Sequence, residues 1–141
     1  MEQLNIIKFD AKYENSVIEL WKHCNLLVKQ NNPKVDIKEK MNFQPDLFFL
    51  GFLKNKLVSS IMIGYDGHRG WINYLAVHPN FQRNGIGTIM MDFATKKLLE
   101  LGCQKINVQV RNSNRFAVNF YQKIGFTDDQ VIGMGKRIQK R

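Results

Sequence analysis

The six residues Gln82-Arg83-Asn84-Gly85-Ile86-Gly87 hold the pattern in this chain best suited to chemistry. An apolar, strand-like stretch ending in Tyr74-Leu75-Ala76-Val77 stops at His78-Pro79, a polar loop follows, and two glycines open a long run of helical periodicity. The first turn of a helix leaves N–H groups without intrahelical partners. Together with the helix dipole they make a site for a phosphate or another anion. Glycine lets backbone and anion approach, where a bulky side chain would hold them apart. Arg83 adds a positive charge at the same mouth. The spacing excludes two common nucleotide motifs. No third glycine follows as a dinucleotide fingerprint requires, and there is no Gly-Lys-Ser/Thr as in a Walker loop. An unusual phosphate cradle is what remains.

Other side chains suited to chemistry are scattered. Tyr121 shares a helical stripe with Ala117 and Ile124, which by periodicity alone favours a packing role. Asp66 and His68 lie in the loop Asp66-Gly67-His68-Arg69-Gly70; the aspartate suits an Asp-Gly turn, and the histidine has an ordinary pKa of about 6.5. His23 falls opposite most of the first helix's apolar stripe and reads as solvated, and His78 precedes a proline at a strand end. Cys24 shares that helix's apolar face, Cys103 follows a helix-ending glycine, and the pair forms no CxxC spacing. A disulfide framework and a metal site are therefore not expected.

The elements that must position these residues follow from periodicity. Leu4, Ile6 and Phe9 mark an opening strand; Val17, Leu20, Trp21, Cys24, Leu27 and Val28 recur at helical spacing. Asn31-Asn32-Pro33 breaks that helix, and residues 35–41 can form a second. Strands are predicted over 47–53, 57–63 and 71–77, then a helix from Ile86 to Leu101 capped by Gly102. A fifth strand over 106–110, a helix opened by Ser113 or Asn114 and ended by Gly125, and a last strand near Val131-Ile132 complete the chain. Short turns imply antiparallel pairing of strands two to four, and the crossover through the long helix implies a parallel neighbour. The fold class is thus a mixed α/β sandwich, not a doubly wound sheet.

The chain has 141 residues, the length of one domain over residues 1–141, and buries roughly two-thirds of its extended surface. The start Met1-Glu2-Gln3 lacks a signal-peptide pattern, and the run 47–53 is too short to span a bilayer, so a cytoplasmic protein without membrane attachment is expected. Net charge is +9, unevenly spread: residues 1–81 carry 10 Lys/Arg and 8 Asp/Glu, whereas residues 82–141 carry 11 and 4. That bias calls for an anionic partner. Nucleic acid would satisfy it, yet no nucleic-acid motif accompanies the charge, and none is expected as a partner.

Two segments together resemble a known family. Val77-His78-Pro79 followed by Gln82-x-x-Gly85-x-Gly87, and Asn114-x-x-Ala117-x-x-x-Tyr121-x-x-x-Gly125-Phe126, resemble the acyl-CoA motifs of the GNAT superfamily of N-acetyltransferases. The order of predicted elements matches as well, and residues 64–70 resemble a branch of small uncharacterised bacterial proteins, the YpeA-like group. The resemblance implies a mostly antiparallel sheet of six or seven strands with about four helices, strands four and five splayed around the thioester. It implies that the amides of Gln82, Arg83, Asn84, Gly85, Ile86, Gly87 and Thr88 hold the pyrophosphate of acetyl-CoA, the cosubstrate. Leu75, Ala76, Val77 and Asn114 would hold the pantetheine arm, Tyr121 would act as general acid, and no metal is implied. Coenzyme A carries about four negative charges, which also answers the basic second half.

The chain departs from the family where many members place a glutamate on the fourth strand as base. Here the strand reads Trp71-Ile72-Asn73-Tyr74, and Asn73 cannot accept a proton. Asp66, His68 or water are left for that role. The implied activity is acetyl transfer from acetyl-CoA to a primary amine of a small molecule or peptide. An acyl-CoA-binding module without robust catalysis is the alternative that the missing glutamate motivates. Related proteins are often dimers, which leaves a homodimer open.

Overall fold

Apolar and β-branched residues run from Leu57 to Ile63 with little interruption, as a strand covered on both faces requires. In the computed structural model, which describes residues 3–139, this run is the centre of β3 (Lys56–Tyr65). With β1 (Asn5–Lys8), β2 (Phe48–Leu53), β4 (Gly70–Val77) and β5 (Ile106–Asn107) it forms a five-stranded sheet in the order β1-β2-β3-β4-β5. The first four strands are antiparallel in sequence, and β5 pairs with β4 in parallel. Helices α1 (Glu14–His23) and α2 (Pro33–Asn42) lie on one side of the sheet, α3 (Ile86–Glu100) on the other. The chain divides at Asn107–Val108 into two compact units, the second of which holds α4 (Arg115–Lys123).

Alternation along β2 sorts the core. Phe48 stacks on Phe9 at 4.4 Å between ring centroids and lies 6.4 Å from Trp21 of α1, whereas its neighbour Phe49 meets Phe93 of α3 at 4.6 Å. On β4, Gly70 faces α3 so closely that an added Cβ would sit 2.7 Å from a Leu98 methyl carbon. By strict alternation Tyr74 would face α3 too. Its ring stacks instead on Trp21 at 3.8 Å, on the opposite side. The cause is a β-bulge. Ser60 pairs with Ala76 and Met62 with Asn73, so Tyr74 and Leu75 together oppose Ile61, and Tyr74 takes a left-handed φ of 50°.

A buried serine holds the bulge. Ser60 Oγ accepts the indole N–H of Trp21 at 2.9 Å and donates to the Tyr74 carbonyl at 2.8 Å. Neighbouring Ser59 is equally buried, but its hydroxyl has no partner.

β3 also outruns β2, whose first residue, Phe48, pairs with Met62. The overhang is completed by side chains rather than by a strand. Lys40 of α2 donates its ammonium to the Ile63 carbonyl. The Gln44 amide takes a strand's place at Tyr65, accepting its N–H at 3.0 Å and donating to its carbonyl at 2.6 Å. Burial of Lys40 pushes its pKa down to about 8.

Three expectations are corrected. The described residues hold five strands, not six or seven. Val131 and Ile132 are exposed and outside any strand: Gln130 turns back with φ 56° under a bond from its N–H to Asp128, and Gly133 follows directly. β5 covers Ile106–Asn107 rather than 106–110, and its pairing with β4 stops at Trp71, three residues before the bulge bends β4. The first helix ends at His23 rather than running to Val28. Asn25, in left-handed conformation, closes it with bonds from the amides of Asn25 and Leu26 to the carbonyls of Lys22 and Trp21.

The two adjacent serines should respond oppositely to alanine. Ser60→Ala leaves the Trp21 indole and the Tyr74 carbonyl without their bonds and should lower stability by about 1–3 kcal/mol in urea titrations. Ser59→Ala removes an unpaired buried hydroxyl and should leave stability unchanged or raise it by about 1 kcal/mol.

Candidate active site

The cradle begins where β4 ends. His78 keeps the β4 edge in register by donating its N–H to the Val58 carbonyl at 2.8 Å, and its ring Nδ1 accepts the Asn80 N–H at 3.1 Å. A single 3-10 turn, Pro79–Phe81, then carries the chain away from the sheet. Gln82 reaches back and donates its side-chain amide to the Val77 carbonyl at 3.0 Å, fixing the loop to the strand. Arg83 at φ 70° and Gly85 at φ 78° both take left-handed conformations, and α3 starts at Ile86. No side chain caps the helix, and its first intrahelical bond runs from the Ile89 N–H to the Gly85 carbonyl. The N–H groups of Ile86, Gly87 and Thr88 therefore precede the ladder at the positive end of the helix dipole.

The reason for glycine at position 85 is sharpened by this geometry. A Cβ there would meet nothing within 4 Å, so room is not what the position demands. The left-handed φ is. Around it Arg83, Asn84 and Thr88 are exposed, and buried Ile86 anchors the turn in the core. Two clefts of about 300 and 500 Å³ lie elsewhere, against the β2–β3 turn and α1, and no residue from Gln82 to Thr88 lines either.

Leu75, Ala76 and Val77 occupy the end of β4, beyond its last pair with β5. The ladder assigns the backbone of Ala76 to Ser60, so the N–H and C=O of Leu75 and Val77 point away from β3. The Val77 carbonyl is already engaged, by Gln82 and by the Cys24 thiol at 3.3 Å. Burial pushes the Cys24 pKa up, which makes this a packing thiol rather than a nucleophile.

In the second unit Asn114 caps α4, its side-chain oxygen accepting the Ala117 N–H at 3.1 Å. That leaves its amide NH₂ as a donor. Tyr121 packs between Phe120 and Phe126, with ring centroids 5.1 and 5.2 Å away, and burial pushes its pKa up to about 12. The phenol is a proton donor at any ordinary pH.

Of the candidate bases in the Asp66–Gly70 loop, Asp66 is committed to structure. One oxygen accepts the N–H groups of His68 at 2.8 Å and Arg69 at 2.7 Å, and the other accepts the Trp71 indole at 3.2 Å. The bonds from Arg69, His68 and Trp71 lower its pKa, the direction opposite to that of a base. His68 is exposed, its Nδ1 3.4 Å from the Arg69 guanidinium. His23 and His78 come together at 5.1 Å between ring centroids, and burial, then the neighbouring His23 and Lys56, lower the pKa of His78. Cys103 is buried against the Lys105 carbonyl at 3.3 Å.

Sequence reasoning passed over Tyr74 and Asp36. The structure brings the Tyr74 hydroxyl to 2.7 Å from Asp36 Oδ2 on α2. A signal existed in Asp36, one turn before Lys40 on a helix short of apolar residues, but the bulge that turns Tyr74 toward it leaves no mark in the residue pattern.

Comparison with known proteins agrees with this architecture. Residues 14–126 match the Acetyltransferase (GNAT) family. An acetyltransferase of Yersinia enterocolitica is 41% identical over 135 residues, 96% of each chain. One of Pectobacterium atrosepticum is 42% identical over 123 residues, 87% of each chain. Among solved structures, Ard1 of Thermoplasma volcanium superposes with a TM-score of 0.78 at 25% identity, covering 88% of this chain and 82% of that one. The PaiA N-acetyltransferase of Thermoplasma acidophilum, solved in complex with coenzyme A, shares the fold with a TM-score of 0.76 at 19% identity, over 93% and 94% of the two chains. A five-stranded mixed sheet with four helices, a glycine-opened α3 and a match over most of its length make this chain an acyltransferase that belongs to the GNAT family of acetyltransferases.

Proposed function

We propose that this acetyltransferase, working as one domain, carries an acetyl group from acetyl-CoA to a primary amine of a small molecule or peptide. The observation that carries the reading is the start of α3: three leading N–H groups behind a left-handed Gly85, with Arg83 beside them. That arrangement suits a pyrophosphate, which takes several N–H donors and a positive field at once. Gln82 through Thr88 would hold it. The outward-facing backbone of Leu75 and the Val77 N–H would pair with the pantetheine amides, with Ala76 keeping the strand seated on β3. The amide NH₂ of Asn114 would donate to the same arm. These contacts fix the thioester so that an amine meets it in one orientation, and positioning of this kind supplies much of the rate. Strands β4 and β5 would splay to admit the thioester.

The departing thiolate must be protonated, and a phenol held in its protonated form can supply that proton as the C–S bond breaks. With its pKa pushed up to about 12, Tyr121 keeps its proton at ordinary pH. No metal enters the scheme.

Two measurements test the reading. Gly85→Ala must either strain the left-handed position, by roughly 1–2 kcal/mol, or relax and turn the amides away. The dissociation constant for CoA should rise about tenfold, a change of about 1.4 kcal/mol, by isothermal titration. Tyr121→Phe should lower kcat by about 10²-fold and leave CoA binding unchanged. Because the pKa of Tyr121 is raised, its proton is lost only as pH climbs toward about 12, so wild-type kcat should show no alkaline fall between pH 7 and 10 that the phenylalanine variant removes. Such a fall would count against the assignment.

A further inference from the structure

We propose that Tyr74 accepts the proton released by the attacking amine while passing its own to Asp36, which makes the α1–α2 side of β4 the side from which the acceptor enters. The inference rests on the reading of acetyl transfer to an amine and supplies the proton acceptor that this reading lacks.

Elimination narrows the field. Asn73 has no basic group. Asp66 has both carboxylate oxygens committed, one to its own loop and one to the Trp71 indole, which lowers its basicity. His68 lies exposed beside Arg69. Asp36 instead lies 2.7 Å from a β4 side chain that directly precedes the expected pantetheine edge at Leu75.

The backbone supports the same residue. An aromatic residue at φ 50° is a strained position, costing of the order of 1–3 kcal/mol. Three contacts converge to keep it there: the Trp21 ring 3.8 Å from the Tyr74 ring, Ser60 Oγ on the Tyr74 carbonyl, and Asp36 on the hydroxyl. Without the bulge the phenol would face α3 and lose Asp36 altogether. The strain is thus spent on placing one hydroxyl between a half-exposed face of β4 and a carboxylate.

The chemistry balances. The neutral amine nitrogen forms a bond to the thioester carbonyl carbon, and the C–S bond breaks. Nitrogen gives one proton to Tyr74 Oη as the phenolic proton moves to Asp36 Oδ2. A neutral phenol oxygen is a poor proton acceptor alone, and a carboxylate on its hydrogen is what makes the transfer feasible. The thiolate takes a proton from Tyr121 or water, and Asp36 returns its proton to solvent. The net change is one acyl thioester and one amine to one amide and one thiol. Tyr74 touches the substrate and is the catalytic residue of the pair; Asp36 acts through it.

The test measures thiol release from acetyl-CoA by the full chain with a polyamine, an aminoglycoside, an amino-acid amide and a lysine-bearing peptide. Asp36→Asn keeps an oxygen to receive the Tyr74 hydroxyl, and Tyr74→Phe keeps the ring on Trp21, so both should fold with near-wild-type melting temperatures. Each should lower kcat by about 10²-fold, with the KM for acetyl-CoA unchanged. The double variant should fall no further than the worse single one, because the two act as a unit. Asp36→Glu, which keeps a carboxylate, should retain more activity than the asparagine variant. Wild-type kcat in Asp36→Asn, or losses that multiply in the double variant, would overturn the relay and leave the acetyl-transfer reading standing. Wild-type protein that binds CoA but acetylates none of the four amines would instead remove that reading, and the relay with it.

Discussion

The bulge in β4 is the constraint on which the rest of the molecule turns. A strand that alternates strictly has one face toward α1 and α2 and one toward α3. By inserting one residue opposite Ile61, β4 shifts its phase, so that Gly70 can press against Leu98 of α3 while Tyr74, four residues later, stacks on Trp21 of α1. Close packing on both faces of one strand is thereby compatible with a bend in its open edge. The shift costs a left-handed backbone at an aromatic residue, and Ser60 offsets it with two hydrogen bonds inside the core.

Backbone, more than side chains, makes the proposed anion site. Gln82 ties its loop to the strand end, left-handed turns at Arg83 and Gly85 aim the chain, and the first turn of α3 offers its amides. Because amides are neutral and fixed, they would hold an anion without a reorganisation cost when it arrives. The anchoring is hydrophobic: Ile86, Met90, Met91, Ala94 and Leu98 bury one side of α3 against the sheet, and its start is held as firmly as that packing allows.

What the sequence made legible follows from which forces act locally. Periodicity and punctuation located α1 to α4 and the first four strands, because Asn32, Gly102 and Gly125 end or begin helices through bonds within a few residues. The glycine-opened start of α3 was legible for the same reason. The end of the first helix was misplaced because apolar Leu27 and Val28 continue the stripe after Asn25 has already turned the chain. Val131 and Ile132 suggested a strand by composition, although a strand also needs a partner edge, which no local pattern encodes. Tyr74 and Asp36 stand 38 positions apart, and only the register of β3 against β4 brings them together.

The overhang of β3 has a wider consequence. Where a second strand would have bound Ile63 and Tyr65 through backbone, the chain uses one lysine and one glutamine from α2 and the turn after it. A strand docked by its backbone is indifferent to sequence but rigid in register. Here α2 is held by side chains along its length, Asp36 on Tyr74, Ile37 in the core and Lys40 on Ile63, and Gln44 follows in the turn after it. The open end of the sheet thus rests on the identity of single residues, and loss of Lys40 or Gln44 would uncover β3 backbone that β2 is too short to pair.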